Sequence, residues 1–245
     1  MACLRDPENG CPWDLEQTFK TIVPSTLEEC YELAHAIETD DFSHMAEELG
    51  DVLFQVVFYA QLGAEQQRFD FAEVVNILVE KLLRRHPHVF PEGSQKSLAD
   101  VHLSWEKIKQ QERDSRSQSG MFDDVPLALP ALTRAQKVQK RAAGANFDWP
   151  DHRGAIAKIR EELDELEQAI ELKNDQFIDE EMGDLLFSCV NVSRHLGIDA
   201  ESSLRNATRK FESRLESMTT IANDKGLKLN QMTSSALEAL WAEVK

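Results

Sequence analysis

Two acidic motifs near the middle of the downstream half carry side chains suited to metal chemistry. They read EELDE from Glu161 and EMGD from Glu181. Side chains three residues apart share a helix face, which places Glu162 beside Glu165 and Glu181 beside Asp184. Two such helices packed side by side would gather four carboxylates, which repel one another unless they are protonated or neutralised by a cation. All-oxygen sites suit hard divalent ions, so we expect Mg²⁺.

The same two motifs occur earlier in the chain with the same spacing. They read EECYE from Glu28 and ELGD from Glu48, each 133 residues before its downstream copy at Glu161 or Glu181. A repeat held at one period indicates a duplicated structural unit. The upstream carboxylates equivalent to the four downstream ones are Glu29, Glu32, Glu48 and Asp51.

Most glutamate runs are simply solvated helix faces. Here, however, an apolar run follows each ExxD motif: VLFQVVFYA from Val52 and LLFSCV from Leu185. A helix that is apolar almost all round is normally buried. We therefore expect the carboxylates at the start of these helices to be shielded from bulk water.

The composition limits the possible partners and location. The chain has 245 residues, 42% of them hydrophobic and 29% charged, which is typical of a globular protein rather than a disordered one. Its net charge of −17 argues against binding nucleic acid. No apolar run reaches transmembrane length, the N-terminus has no signal-peptide core, and the four cysteines lack metal-type spacing. These features predict free thiols, no membrane partner and a cytoplasmic location.

The apolar residues recur every three or four positions rather than every two, so the chain is predicted to be all-α. We expect two related helical-bundle domains, residues 1–113 and 125–245, joined by a polar linker at 114–124. Ser25 or Thr26 is expected to begin the first long helix through a capping box. The remaining helices are predicted near 41–63, 71–86, 97–113, 130–143, 152–172, 176–196, 199–222 and 234–245. Neither half is expected to cover its own apolar faces, so packing between the halves or between two chains should do so.

A polar stripe continues along the second acidic helix in the downstream copy. After Asp184 it includes Ser188 and Asn191, whereas the position equivalent to Asn191 in the upstream copy is Phe58. An amide at this position can hydrogen-bond a substrate and a phenyl ring cannot. The comparison favours the downstream half as the working one.

Basic residues recur in both halves on the helix that follows the acidic pair. Lys210 and Arg214 are four residues apart downstream, as are Lys81 and Arg85 upstream. A lysine and an arginine on one face suit a polyphosphate chain. The last helix adds two further candidate substrate contacts, Trp241 and Lys245.

Taken together, these motifs resemble the MazG nucleoside triphosphate pyrophosphohydrolases. The resemblance rests on EExxE followed by ExxD in two copies, on LRDPENGCPWD from Leu4, on RRHPHVF from Arg84 and on AQKVQKR from Ala135. It covers essentially the whole chain. Members usually carry further helical residues before the segment that contains Arg5, so the resemblance implies that this end is trimmed.

The resemblance implies a bundle of the all-α NTP pyrophosphatase type that forms homodimers and hydrolyses NTPs and dNTPs to the monophosphate and pyrophosphate. Mg²⁺ would bind the phosphate oxygens and activate the attacking water. The metal ligands carried over are Glu162, Glu165, Glu181 and Asp184, with Glu29, Glu32, Glu48 and Asp51 upstream. Glu161, and Glu28 upstream, would orient or deprotonate the water. Lys210 and Arg214 would hold the leaving pyrophosphate.

Two alternatives remain open. One is a carboxylate-bridged di-iron bundle, because Glu32 and His35 form an ExxH motif; the matching downstream position is Gln168, whereas such sites need the motif twice. The other is a non-enzymatic helical module whose acidic faces bind a basic partner or cations.

Overall fold

A computed structural model describes residues 1–90 and 120–245, and between them only 97, 100, 101, 104, 105, 108, 111 and 112. The chain divides into two compact units, Met1–Lys109 and Gln110–Lys245. The regular structure of the described residues consists of α-helices and one 3₁₀ turn, and no strand is found among them. This confirms the predicted fold class. Most of the predicted helix at 97–113 and most of the predicted linker lie outside the described residues.

The first unit contains four described α-helices. They are α1 (Pro12–Glu16), α2 (Val23–Glu38), α3 (Phe42–Glu65) and α4 (Phe71–Arg85). Helix α2 packs along α3, and α3 contacts α4. The side chain of Asp41 caps α3 by accepting from His44 N, and Asp70 caps α4 by accepting from Glu73 N. The Asp41 cap fixes the start of the helix that carries Glu48 and Asp51.

The predicted capping box at the start of α2 is wrong. The helix begins at Val23, two residues before Ser25, and has no side-chain cap. Pro24 lies in the first turn, where its fixed φ favours the helix and its missing N–H costs nothing. The Thr26 hydroxyl instead donates to Ile22 O, 3.0 Å away inside the helix.

In its described residues, the second unit has five α-helices and a short 3₁₀ turn. They are α5 (Ala131–Gly144), α6 (His152–Glu171), α7 (Asp175–His195), α8 (Ala200–Asp224), the 3₁₀ turn Leu229–Gln231 and α9 (Ser234–Glu243). Helix α6 packs along α7, α5 contacts α7 and α8, and α9 contacts α8. The α6–α7 pair corresponds to the α2–α3 pair of the first unit.

The turn between the two acidic helices has the same geometry in both units. Asp40 and Lys173 are 133 residues apart, and both adopt the left-handed backbone conformation, with φ of 55° and 53°. Neither residue is glycine, so both turns hold an uncommon backbone conformation. The repeat read from the acidic motifs is therefore also a repeat of backbone geometry.

Each unit has a small buried apolar cluster. Ile22, Phe58 and Leu62 form the first, and Met218, Ala222 and Leu240 form the second. The apolar runs after the two ExxD motifs are not fully buried, contrary to the prediction. Among their exposed members are Leu53, Phe54, Val56, Leu186 and Phe187. Within one chain, the helices that carry Glu48 and Glu181 are thus buried on only part of their surface.

No helix in the described ranges has the length and apolar character needed to cross a membrane. The four cysteines, at positions 3, 11, 30 and 189, are free, as predicted.

Candidate metal centre and adjoining pocket

Three of the four predicted downstream ligands meet between α6 and α7. One carboxylate oxygen from each of Glu162, Glu165 and Glu181 lies within 4.8 Å of the others. Glu162 is almost fully buried, at 3% exposure, whereas Glu165 is exposed and Glu181 is half-buried. Asp184 is outside this trio but lines the same pocket as Glu162. The packing of α6 on α7 therefore brings the EExxE and ExxD motifs together.

The electrostatics of this group favour a cation. Burial raises the pKa of Glu181 above its ordinary value, and the negative charges of Glu165, Glu162 and Asp184 raise it further. A raised carboxyl pKa means that the charged form is disfavoured where it stands. A divalent ion among these oxygens would remove that penalty.

Lys158, which the sequence analysis missed, already provides one positive charge. Its Nζ lies 2.7 Å from Glu161 Oε1 and 2.5 Å from Glu162 Oε1, and these two ion pairs raise its pKa. The equivalent upstream residue is Ser25, so the two halves differ here. Glu161, the predicted water-orienting residue, is thus held by Lys158 on the exposed side of the cluster.

The upstream half forms a similar group with a different membership. Glu29, Glu48 and Asp51 each offer a carboxylate oxygen within 4.8 Å of the others. The predicted fourth ligand, Glu32, is exposed and outside this group, but its charge contributes to the raised pKa of Glu29. His44 Nε2 lies 3.2 Å from Glu48 Oε1. The upstream residues therefore also bring carboxylates together.

The donor set of both groups fits the expected ion. Every ligand atom in the two groups is a carboxylate oxygen, which suits Mg²⁺ and is unlike the mixed ligand sets preferred by softer metals. Glu48 Oε2 is buried and has no hydrogen-bond partner among the described residues, as a ligand oxygen would be without its ion. His35, required by the di-iron alternative, is exposed and belongs to neither group.

A pocket of about 780 Å³ adjoins the downstream carboxylates. Its lining includes Lys158, Glu162 and Asp184, of which Glu162 belongs to the carboxylate trio and Lys158 pairs with it. The rest combines apolar and hydrogen-bonding side chains: Met121, Phe122, Val138, Gln139, Ala142, Asn146, Phe147, Asp148, Trp149, Phe187, Ser188, Asn191 and Arg194. A mainly apolar cavity with a few placed polar groups is the usual form of a small-molecule site. The predicted stripe Asp184, Ser188 and Asn191 runs along this pocket.

An ion-pair network closes the pocket beside Asn191. Arg194 binds Asp148 through both guanidinium ends, with Nη1 2.9 Å from Asp148 Oδ2, and Arg194 Nη2 donates to Asn191 Oδ1 at 2.7 Å. His195 Nε2 lies 3.1 Å from Asp148 Oδ1. Arg194 holds the pKa of Asp148 below its ordinary value. This network fixes the loop that carries Trp149 against the end of α7.

In the first unit, the side chains around the position equivalent to Asn191 pack as a core. Phe58 is fully buried at 0% exposure, with Ile22 and Leu62 against it. The Arg5 guanidinium lies over the Phe58 ring, 5.5 Å from its centroid, and pairs with Glu65 at 2.8 Å. The predicted difference between Phe58 and Asn191 is therefore a difference between a filled and an open position.

The structure does not bring the other predicted substrate contacts into this pocket. None of the residues Lys210, Arg214, Trp241, Lys245 and Arg85 lines it. Arg214 lies over the Trp241 ring, 5.7 Å from its centroid, and Phe211 packs on the same ring. These two predicted contacts therefore bind each other across α8 and α9, and Lys210 is exposed on α8. Arg85 belongs to the first unit, where its carbonyl oxygen accepts from Trp105 Nε1.

The pocket residues that the sequence did not reveal differ in whether a local signal for them exists. Lys158 precedes Glu162 by one helical turn, and that spacing alone would have revealed it. Asp148 and Arg194 are 46 positions apart, so no local spacing reveals their pairing.

Both halves of the chain match one protein family. Residues 17–90 and 151–219 match the MazG nucleotide pyrophosphohydrolase domain. The nucleoside triphosphate pyrophosphohydrolase of Escherichia coli (strain K12) is 49% identical over 247 residues, 100% of this chain and 94% of that protein. The nucleoside triphosphate pyrophosphohydrolase/pyrophosphatase MazG of Thermotoga maritima is 44% identical over 245 residues, 100% of this chain and 92% of that one. With two matched segments and similarity along its full length, the chain belongs to the MazG nucleotide pyrophosphohydrolase family.

Proposed function

We propose that the chain hydrolyses nucleoside and deoxynucleoside triphosphates between the α- and β-phosphates, in a Mg²⁺-dependent reaction that releases the monophosphate and pyrophosphate. The observation that carries this proposal is the junction of three gathered carboxylates with a nucleotide-sized pocket. Glu162 belongs to both, since it is one of the trio and lines the cavity. Both of the relatives compared above are named as nucleoside triphosphate pyrophosphohydrolases.

The metal would be held by Glu162, Glu165 and Glu181, with Asp184 beside them. When bound, Mg²⁺ would neutralise phosphate charge and make water a better nucleophile at neutral pH. The carboxylates supply the negative charge that retains the ion. Their position at one end of the pocket would place the triphosphate there and the nucleoside among the apolar side chains.

Lys158 and Glu161 are the residues of this chain best placed to act beside the ion. Lys158 reaches Glu161 and Glu162 and also lines the pocket, so its ammonium group can move from a carboxylate to a phosphate oxygen. Glu161 would then be released from Lys158 and become able to accept a proton from water. This keeps the water-orienting role predicted for Glu161 and gives it a switchable partner.

We assign turnover to the downstream half. The upstream carboxylates would bind a cation, but Phe58 and Arg5 occupy the position where Asn191 meets the pocket downstream. A filled position leaves no room there for a nucleoside. The alternative of a non-enzymatic cation-binding module therefore describes the upstream half better than the downstream one.

The active form is proposed to be a homodimer in the cytoplasm, acting on nucleotides rather than nucleic acid. Leu204, Phe211 and Leu215 of α8 are exposed in one chain, as is Leu186 of α7. Burying such a face against a second copy is the usual way to cover it. Such packing would also provide a way for Lys210 and Arg214 to reach a triphosphate that they do not approach in the single chain.

The experiment that tests this function measures phosphate release from each NTP with and without inorganic pyrophosphatase, in Mg²⁺ and after chelation. We expect orthophosphate to appear only after pyrophosphatase treatment, and the monophosphate and pyrophosphate, quantified directly by chromatography, to form only when Mg²⁺ is present. Water labelled with oxygen-18 locates the attack: label in the monophosphate supports attack on the α-phosphorus. Direct release of orthophosphate, or no turnover at all, would reject the proposal, whereas label in the pyrophosphate would move the attack to the β-phosphorus.

A further inference from the structure

Gln139 carries a buried hydrogen-bond acceptor without a partner. The residue lies on α5, is 5% exposed and lines the pocket. Its Nε2 donates to the carbonyl oxygen of Phe187 over 2.8 Å, whereas Oε1 accepts no hydrogen bond from any described residue. A buried amide oxygen left unpaired costs free energy, so a partner is expected for it.

The contact with Phe187 settles the orientation of this amide. A backbone carbonyl can only accept a hydrogen bond, so the nitrogen of the Gln139 side chain must face it. Rotating the amide by half a turn would set two oxygens against each other. Oε1 is therefore the amide atom that is left without a partner.

Gln139 reaches the pocket midway along α7, between the carboxylates and Asn191. Phe187, which holds it, lies on α7 between Asp184 and Asn191. Asp184 and Asn191 are seven residues apart, or roughly 10 Å along a helix. Two exposed aromatic residues, Phe147 and Trp149, line the same pocket and offer faces on which a planar base can stack.

We propose that Gln139 is a nucleobase-binding residue: its Oε1 accepts a hydrogen bond from an amino or imino group of the nucleobase. This inference rests on the proposed function, because it assumes that a nucleotide occupies the pocket. Every common base presents at least one N–H donor on its pairing edge, and enzymes that hold an unpaired base read that edge by hydrogen bonds and stacking. A single acceptor therefore recognises a base without choosing one of the four.

Two matched pairs of substrates isolate this hydrogen bond. ATP and purine riboside triphosphate differ by one exocyclic amino group, as do CTP and zebularine triphosphate. We expect the wild-type chain to prefer the amino member of at least one pair by roughly twofold to tenfold in kcat/KM for pyrophosphate release, the effect of one neutral hydrogen bond. In Gln139→Met the preference should fall to about one.

Gln136→Met is the matched control on the same helix. The Gln136 side chain lies outside the pocket lining, and both of its amide atoms are bonded to backbone: Nε2 to Ile198 O at 3.0 Å and Oε1 to Ala200 N at 3.2 Å. This variant should keep the wild-type preference. The ratio is taken within one protein preparation, so partial loss of folded enzyme cancels.

Three results would overturn the proposal. The first is a wild-type chain that hydrolyses both members of each pair equally well, and this needs no variant at all. The second is a preference that survives in Gln139→Met, and the third is a preference lost equally in Gln136→Met. A wild-type chain that releases no pyrophosphate from any of these nucleotides would instead contradict the proposed function, and with it the proposed hydrogen bond between Gln139 and the base.

Discussion

Lys158 Nζ lies 2.5 Å from Glu162 Oε1, so the most buried carboxylate of the downstream trio already has a cation within one helical turn. Lys158 also pairs with Glu161. A divalent ion that binds Glu162 must therefore compete with an ammonium group. The same lysine lines the pocket, where it would contact the phosphates once it is displaced from Glu162.

Lys158→Met should separate these two effects. Without the competing charge, Mg²⁺ should bind more tightly, by about fivefold if the pair contributes roughly 1 kcal/mol. Turnover should fall because a phosphate contact is lost. Calorimetric titration with Mg²⁺ and steady-state kinetics measure the two quantities. Arg160→Met, which removes a positive charge from an exposed position of the same helix, is the control. Weaker magnesium binding in Lys158→Met would contradict this account.

The stabilising effect of Mg²⁺ should increase with pH. The pKa of Glu181 and that of Glu29 are raised by burial and by neighbouring carboxylates, so the folded chain binds these protons more tightly than the unfolded chain. Their contribution to stability is present below the ordinary carboxyl pKa and is lost as pH rises through the raised one. Bound Mg²⁺ restores it by neutralising the charged forms.

Thermal unfolding with and without Mg²⁺ at about pH 5 and about pH 8 measures this effect. At tenfold excess over its dissociation constant the ion adds about 1.4 kcal/mol, a shift of roughly 3–6 °C. The shift should be larger at the higher pH and should shrink in Glu181→Gln but not in Glu180→Gln, which changes an exposed neighbour. An equal shift at both pH values would argue against charge relief.

Phe58→Ala should destabilise the first unit without changing turnover by the second. Phe58 is fully buried against Ile22 and Leu62, and removing a buried phenyl ring typically costs about 3–5 kcal/mol. Phe54→Ala removes the same ring from a position that is 38% exposed and should cost less. Hydrogen exchange resolved along the chain measures the loss in residues 1–90. A loss of kcat in Phe58→Ala below its melting temperature would show that the upstream half takes part in the reaction.

Arg194→Lys and Asp148→Asn should weaken substrate binding more than they slow the chemical step. The two side chains hold the Trp149 loop beside Asn191, away from the carboxylates. A lysine cannot reproduce the two-ended contact of the guanidinium group. We expect KM to rise roughly tenfold with a smaller change in kcat, and the two substitutions to be non-additive because they break one contact. Strictly additive losses would indicate that the pair does not act as a unit.

The sequence alone was sufficient for the parts of the fold and site that depend on spacing. The offset between Glu48 and Glu181 predicted the duplicated unit, and the spacing of Glu162 from Glu165 predicted one shared face. Asn191 was identified because it differs from Phe58 at the same repeat position. In each case the signal is local or periodic, so it is visible without coordinates.

What the sequence did not provide depends on contacts between distant residues. Gln139 and Arg194 became visible only through their bonds to Phe187 O and Asp148. The burial expected for α3 and α7 was overestimated. An apolar run indicates that a helix surface should be buried, but it does not identify the element that buries it. The start of α2 was misplaced because Pro24 favours the first turn more strongly than the Ser25 and Thr26 caps that were expected.

The downstream carboxylates are proposed to hold the ion that activates water for hydrolysis of the triphosphate. Pyrophosphate release from NTPs by Glu181→Gln and Glu48→Gln, made singly and compared with Glu180→Gln, tests this proposal most directly. We predict that Glu181→Gln lowers kcat/KM at least about a hundredfold, as expected for a lost metal ligand, and that the other two retain most of the activity. Equal losses in Glu181→Gln and Glu48→Gln, or full activity in Glu181→Gln, would contradict the account.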